Sequence, residues 1–474
     1  MSTVVVDVWV ADLTFPGYMD RWMKLGEEFD RAHPDYHVNI VGQDFRTLPL
    51  QLAEAAATGY SPAIAEYYFY MIQQARDLIR PDGQPLYTSV EKAVAGRTEI
   101  LGEPVVTGDV IPAFREYYSY DGDLTAMPSV GTTSLIYANT EILGRAGVTR
   151  LPETWSEVEA VCAAIAALPD GPPHAITWAN HGTFYQQALA SQDGLLSDRD
   201  NGRAGRATTV EMASKEMLAW AQWWRKLHQD GHFLHTGKIP DWEGTFGAFA
   251  RGDVALRISS SNDVNYMVQA ARDGGFGLGV GICPYNEEVP YGGNAVAGTS
   301  LCLANELDQA TQDGALAFLQ FAHNPRNDAD RHKHNSFIPV TYAGFALLES
   351  EGWFTEHPYH RVPSDHVSRY PAGAILPEGV DRNTPPPSRG ALIGDFAGNQ
   401  DVMCQAMGQV LAEGLDPVER FTAATAEAQR LLDDYHADLA EGGPRRPDSL
   451  RVEFFTDAEP YSGMDLENVA QLSR

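Results

Sequence analysis

The chain is poor in cysteine, poor in positive charge and without long apolar runs. Its four cysteines are Cys162, Cys283, Cys302 and Cys404. None stands in a CxxC or other zinc spacing and each lies in an apolar stretch, so they read as buried thiols rather than disulfides or metal ligands. Lys and Arg total 34 against 64 Asp and Glu, a formal net charge of -30. Such an excess repels polyphosphate backbones and anionic lipid surfaces, so no nucleic acid partner is expected. The longest apolar runs, such as Val4 to Val10 and Leu301 to Ala304, fall well short of the roughly 20 residues a membrane helix needs, so no membrane span is expected. Catalytic signatures are missing too. "GFGLGVG" runs into a strand ending at Pro284 instead of opening a helix, and "RISSSNDVN" has no GxSxG elbow around its hydroxyls. Neither a cofactor nor a metal is expected.

What is present is a length and a rhythm. A chain of 474 residues exceeds the size at which one hydrophobic core keeps growing, so two lobes are expected. "VVVDVWV" reads as a first core strand. In "YMDRWMKLGEEFDRAHPDY", Trp22, Leu25 and Phe29 recur at helical spacing and predict a helix with one buried stripe that stops near Pro34. "HVNIV" follows as a strand, a helix around Leu50 to Thr58 ends at Gly59, and "PAIAEYYFY" is strand-like before "MIQQARDLI" turns helical. Strands alternating with helices argue for a parallel sheet covered on both faces. The longest periodic element is "EMASKEMLAWAQWWRKLHQDG", with Gly231 as its exit. His332, His334, His357, His360 and His366 carry no HExxH or carboxylate-flanked spacing and are expected on a solvated surface.

One stretch is more specific: "LTAMPSVGTTSLIYANTEILGRAGVTRLPETWSEVEAVCAAI". Met127-Pro128, the small loop Gly131 to Ser134, Tyr137-Ala138-Asn139, Ala146-Gly147 and Pro152-Glu153-Thr154-Trp155 follow in an order that resembles the crossover segment of extracellular solute-binding proteins of ABC importers, carbohydrate-binding class. "FAHNPRNDADRHKHNSFIPVTYAGFALLESEGWFTEHP" and "SRGALIGDFAGNQDVMCQAMGQVLAEGLDPVERFTAATAEAQRLLDDY" are similar to the branch that binds glycerol 3-phosphate and glycerophosphodiesters. The resemblance implies an α/β, two-lobed periplasmic-binding-protein (Venus-flytrap) fold with hinge strands and a helical C-terminal region. It implies a first lobe of residues 1–127 plus 283–334, a second of 131–280 plus 338–440 and a C-terminal extension of 441–474. Crossings between lobes are expected near Ala126 to Gly131, Val280 to Pro284 and His334 to Val340.

Carried onto this sequence, the branch's ligand positions fall on altered residues. The first tyrosine matches Phe45 and the glutamate matches Phe69, with Glu66 nearby. The middle-loop serines match Gly131 and Thr132 and either Ser260 or Ser261; the glycine matches Gly298, the second tyrosine Phe337, and the phosphate-neutralising arginine Leu392. Phosphate needs charged donors when it leaves water, so glycerol 3-phosphate is disfavoured. Aromatic faces, which stack on sugar rings or apolar ligands, are expected instead from Phe45, Tyr68, Phe69, Phe337 and Trp178, with His181 on the same second-lobe segment.

Two functions follow. The first is capture of a neutral, carbohydrate-like or polyol-bearing small molecule in an aromatic-rich interlobe cleft, with delivery to an ABC permease. The second is a cytoplasmic enzyme on the same scaffold acting on an apolar intermediate, with His181 and Glu66 for acid-base chemistry. From Met1 the chain runs into a strand-like segment instead of an export signal. The expected location is therefore extracellular and membrane-tethered if a leader was removed, and cytoplasmic if Met1 is the native start.

Overall fold

The computed structural model describes residues 3–13, 17–45 and 47–441. Most of the expected C-terminal extension lies outside the described residues.

The first lobe is built on a six-stranded sheet. Strand Val4–Asp12 runs parallel to Tyr36–Asp44 on one side and to Ile64–Tyr68 on the other. Ala297–Ala304 joins antiparallel to Ile64–Tyr68 and also pairs with Tyr87–Thr88 and Met127–Thr132. The two-residue period of a strand decides its faces: Val6, Val8 and Val10 are fully buried while Val5, Asp7 and Trp9 are not. Helix Tyr18–Ala32 turns Trp22, Leu25 and Phe29 inward, where Phe29 meets Phe318 and Phe321 edge-on.

The second lobe is built on a four-stranded sheet in the order Ile176–Thr177, Leu256–Ser260, Ser134–Asn139, Leu278–Ile282. Helices Gly182–Ser191, Lys215–Gln229, Phe396–Ala412 and Pro417–Ala440 stack beside it. Its interior holds a tryptophan cluster: Trp178 lies 4.9 to 5.7 Å, centroid to centroid, from Trp220, Trp223 and Trp224.

The chain leaves the first sheet at Thr132 and enters the second at Ser134. It returns between Ile282 and Ala297. Around the third expected crossing, Ile338 still pairs with Gly131 of the first sheet, and helix Tyr342–Ser350 packs on Pro325–Asn335. The chain then meets the second lobe where Tyr359 donates to the Leu278 carbonyl at 2.7 Å. Gly298 serves this hinge: its φ is +124°, and a Cβ there would stand 1.9 Å from the Val130 carbonyl oxygen, so strand contact itself demands glycine.

The thiols behave as read. All four cysteines are free and buried, and burial pushes Cys162, Cys283 and Cys302 up to about 12. The histidines do not. His332, His357, His360 and His366 are buried, not solvated. Helical packing encloses them: His332 Nδ1 donates to the Phe337 carbonyl at 2.8 Å, and His360 Nε2 donates to the Asn265 amide oxygen at 2.8 Å. Of that group, only His334 keeps a substantially exposed side chain.

Candidate ligand-binding site

The lobes meet along a seam that begins where strand Ile64–Tyr68 ends. Strand period sends Tyr67 into the core, where its hydroxyl lies 2.9 Å from that of Tyr87, and sends Tyr68 to the opposite face beside Phe45, 5.9 Å away. The chain then tightens into the 3-10 turn Phe69–Met71. That turn breaks the alternation, so Tyr70 stacks on Tyr68 at 5.5 Å and 18°. Phe69 packs edge-on against Tyr117 of its own lobe and Phe396 of the second. Tyr117 crosses as well, donating to the Phe69 and Ala391 carbonyls at 3.1 Å each.

The second lobe answers with two helix starts. His181 caps helix Gly182–Ser191, its Nδ1 accepting the Thr183 N–H at 3.2 Å, which leaves the imidazole proton on Nε2. Its ring lies 5.1 Å from Trp242, and Phe184 flanks the same indole at 5.7 Å. Helix Phe396–Ala412 is capped by Asp395, which accepts from Gly398 at 3.2 Å. Gln400, one turn inside, lies over Gly182 so closely that a Cβ there would stand 2.0 Å from its Oε1. Arg257 holds the Trp242 carbonyl at 3.3 Å while paired with Asp263 at 2.8 Å, so the indole is anchored from beneath.

Several seam groups have polar atoms without a hydrogen-bond partner among the described residues: the Tyr70 hydroxyl, the Trp242 indole nitrogen, Gln186 Nε2 and both amide atoms of Gln400. An unmet buried polar group costs about 1–3 kcal/mol. A solute bearing hydroxyls recovers that cost, and the neighbouring rings supply stacking faces. These donors and acceptors are all neutral.

The sequence-derived residues divide into sets. Phe45 and Tyr68 lie side by side at the end of strand Ile64–Tyr68, Phe69 packs at the seam against Phe396, and His181 sits with Trp242 in the second lobe. Phe337 is buried beside Tyr18, 6.3 Å away. Thr132 and Gly298 lie in the hinge. Ser261 is tied into the second lobe, accepting the Thr133 N–H at 3.1 Å, and the Ser260 carbonyl takes the Tyr137 hydroxyl at 2.7 Å. Trp178 is a correction: it belongs to the tryptophan cluster, because the strand ending at Thr177 points it at helix Lys215–Gln229. Trp242, Gln186 and Gln400 were not singled out from sequence as binding groups. Of these, Gln400 carried a signal, as one of several polar residues in the first turns of helix Phe396–Ala412.

The groups put forward for acid-base chemistry are engaged otherwise. Burial pushes His181 down to about 3, and its acceptor nitrogen is used as a cap. Glu66 is fully buried and accepts from the Ala11 N–H at 2.9 Å, Thr299 at 2.5 Å and Tyr18 at 3.3 Å. Burial raises its pKa against those bonds, and the carboxylate braces the first lobe.

At the Leu392 end the backbone is strained. Arg199, Asp200, Asn201 and Gly202 all have left-handed φ, 55°, 54°, 56° and 77°, which costs roughly 1–2 kcal/mol per non-glycine residue. Asn201 offsets part of this: its Oδ1 accepts from Leu196 and Ser197, at 2.7 and 3.1 Å, and its Nδ2 donates to the Arg389 carbonyl at 2.5 Å. The turn presses on Leu392, whose N–H donates to the Asn201 carbonyl at 2.8 Å. A Cβ on Gly202 would stand 2.0 Å from the Leu392 carbonyl oxygen. Arg389 is paired with Asp193 at 2.9 Å and Asp200 at 3.8 Å. Arg203 spends its donors on the Gly390, Glu116 and Tyr117 carbonyls.

Two α/β lobes joined by hinge strands, with aromatic packing at their junction, have the architecture of a solute-binding protein of the hinged type. The family described as bacterial extracellular solute-binding protein matches residues 24–357, and the chain belongs to it. The sn-glycerol-3-phosphate-binding periplasmic protein UgpB of Salmonella typhimurium is 26% identical over 343 residues, 70% of this chain and 74% of the relative. That of Yersinia pseudotuberculosis is 26% identical over 348 residues, with the same shares. Among solved structures, MalE from Xanthomonas citri is similar with a TM-score of 0.70 and 16% identity, covering 93% of this chain and 100% of its own. UgpB from Mycobacterium tuberculosis, in complex with glycerophosphocholine, has a TM-score of 0.67 at 18% identity, covering 91% of this chain and 99% of its own. The cyclic alpha-maltosyl-1,6-maltose binding protein from Arthrobacter globiformis has a TM-score of 0.69 at 18% identity, covering 91% and 100%. No helix of the described residues is long and apolar enough to cross a membrane.

Proposed function

We propose that this chain captures a neutral, carbohydrate-like or polyol-bearing solute between its lobes and delivers it to an ABC permease outside the cytoplasmic membrane. Rings from the first lobe, Phe45, Tyr68 and Tyr70, stack on the solute. Gln400, Gln186 and Trp242 of the second supply hydrogen bonds, and closure shields both from water. The observation that carries the neutral reading is Leu392, 3% exposed, at the position where the resembling branch neutralises phosphate. Two arginines near Leu392 in the fold are engaged, Arg389 through its terminal nitrogens with Asp193 and Asp200, its Nε having no hydrogen-bond partner among the described residues, and Arg203 with backbone carbonyls. The relatives' names span glycerol 3-phosphate and maltose-type ligands, and the neutral seam favours the second kind.

A thermal-shift and calorimetry panel tests this with maltooligosaccharides, free polyols, glycerophosphocholine and glycerol 3-phosphate. The expected result is binding of a neutral sugar or polyol and none of glycerol 3-phosphate. Tight glycerol 3-phosphate binding with no neutral binder overturns the reading.

A further inference from the structure

A second set of contacts crosses the seam at the edge of the aromatic site. Asp77 ends helix Ile72–Asp77 of the first lobe, with a side chain only 4% exposed. Arg206, from the second lobe's loop, grips it with both arms: Nη1 to Oδ2 at 2.7 Å and Nη2 to Oδ1 at 2.5 Å. Tyr435, from helix Pro417–Ala440 of the second lobe, donates its hydroxyl to the same Oδ2 at 2.8 Å. Asp77 receives only Gln73, at 3.0 Å, from its own lobe. Beside this pair, Arg203 reaches across to the Glu116 and Tyr117 carbonyls at 2.9 and 3.2 Å, and the Ser388 N–H donates to Glu116 Oε2 at 2.9 Å.

These bonds exist only when the lobes are together, yet none of them requires a solute. Opening the hinge strips Asp77 of its charged partner and of Tyr435 at once. We propose that Asp77, Arg206 and Tyr435 form an interlobe latch: positioning residues that hold the lobes closed independently of ligand and thereby set how tightly and how long a solute is kept. A population shift needs only a differential interaction between the two states, and a bidentate charged pair made in one of them supplies it. The strained turn ahead of Arg206, braced by Asn201, fixes where the loop leaves the second lobe. The latch does not depend on which solute is bound, so it stands or falls apart from the neutral-ligand reading.

The test uses the full chain without solute. Small-angle scattering compares the wild type with Arg206→Met, Arg206→Lys and Asp77→Asn, each checked for an unchanged circular dichroism spectrum. Arg206→Met, at a half-exposed position, keeps the test available if Asp77→Asn does not fold. The expected result is a compact ligand-free wild type, a larger radius of gyration for Arg206→Met, and an intermediate one for Arg206→Lys, which keeps charge but loses the fork. In 1 M salt the wild type moves only slightly toward Arg206→Met, which itself stays put, because a pair with one buried partner is screened less than an exposed one. For the solute that the panel identifies, release from Arg206→Met is roughly tenfold faster with little change in association. Identical ligand-free scattering of wild type and Arg206→Met overturns the latch, as does a wild type already open.

Discussion

Two arginine–aspartate pairs in this protein differ in geometry and in setting: Arg206 grips Asp77 with two nitrogens, Arg257 reaches Asp263 with one. Arg257 and Asp263 meet at 2.8 Å inside the second lobe, 0% and 5% exposed. Ser259 adds a bond of 2.5 Å to the same carboxylate oxygen, and Thr245 takes Arg257 Nε at 3.4 Å. Arg206 and Asp77 meet at 2.5 Å across the seam, 47% and 4% exposed. The first pair is made once, when the lobe folds, and no hinge motion touches it. The second joins surfaces that part when the lobes open. What a salt bridge does here is decided by whether its partners belong to the same rigid body.

Acid gives the widest separation between lobe interior and seam. Burial pushes His181 and His323 down to about 3, and His332 and His366 to about 4. The unfolded chain therefore takes up protons near pH 6.5 that the folded one refuses, so stability is full above that pH and falls as pH drops toward 4. Glu66 and Asp328, raised by burial, act in the opposite sense. Tryptophan fluorescence against pH is expected to report cooperative unfolding between about pH 6.5 and 4; a flat signal to pH 4 contradicts it.

Next in size is Arg257→Met, which leaves Asp263 buried without its cation and costs about 3–5 kcal/mol in denaturant unfolding. Arg206→Met, by contrast, leaves a carboxylate that water reaches once the lobes part, so its stability loss is the smaller. Equal losses at the two arginines would erase the distinction.

Tyr435→Phe removes one bond to Asp77 and is expected to cost about 1 kcal/mol, with a small opening of the ligand-free protein in scattering. The smallest stability effect belongs to Tyr70→Phe. Its buried hydroxyl has no partner among the described residues, so removal breaks no bond and is expected to stabilise the ligand-free protein, by about 1 kcal/mol or less, while weakening binding of the solute that the hydroxyl meets. A large loss of stability with unchanged affinity would place Tyr70 with the core instead.

Much of this fold was legible from pattern. The strand opening at Val4 and the helix stripe of Trp22, Leu25 and Phe29 follow from local periodicity, which the tertiary structure had no reason to override. The site was less legible. Phe45 and Tyr68 do lie side by side, yet Trp178 was drawn in with them, because an indole reads the same in a core as on a rim. The histidines were misplaced for the same reason: spacing along one helix does not reveal which later helix will cover it.

The sequence by itself determined the rhythm of strands and helices and the buried thiols, since each is a property of residue type and short-range order; its resemblance to a family gave the class of fold and implies the loss of a cation at Leu392. Only the tertiary structure decided that Asp77 meets Arg206, 129 residues on, and Tyr435, 358 residues on. It also decided that Gln400 lies over Gly182. Contacts between lobes arise from how two finished cores dock, and no local rule of chain geometry reaches across that distance.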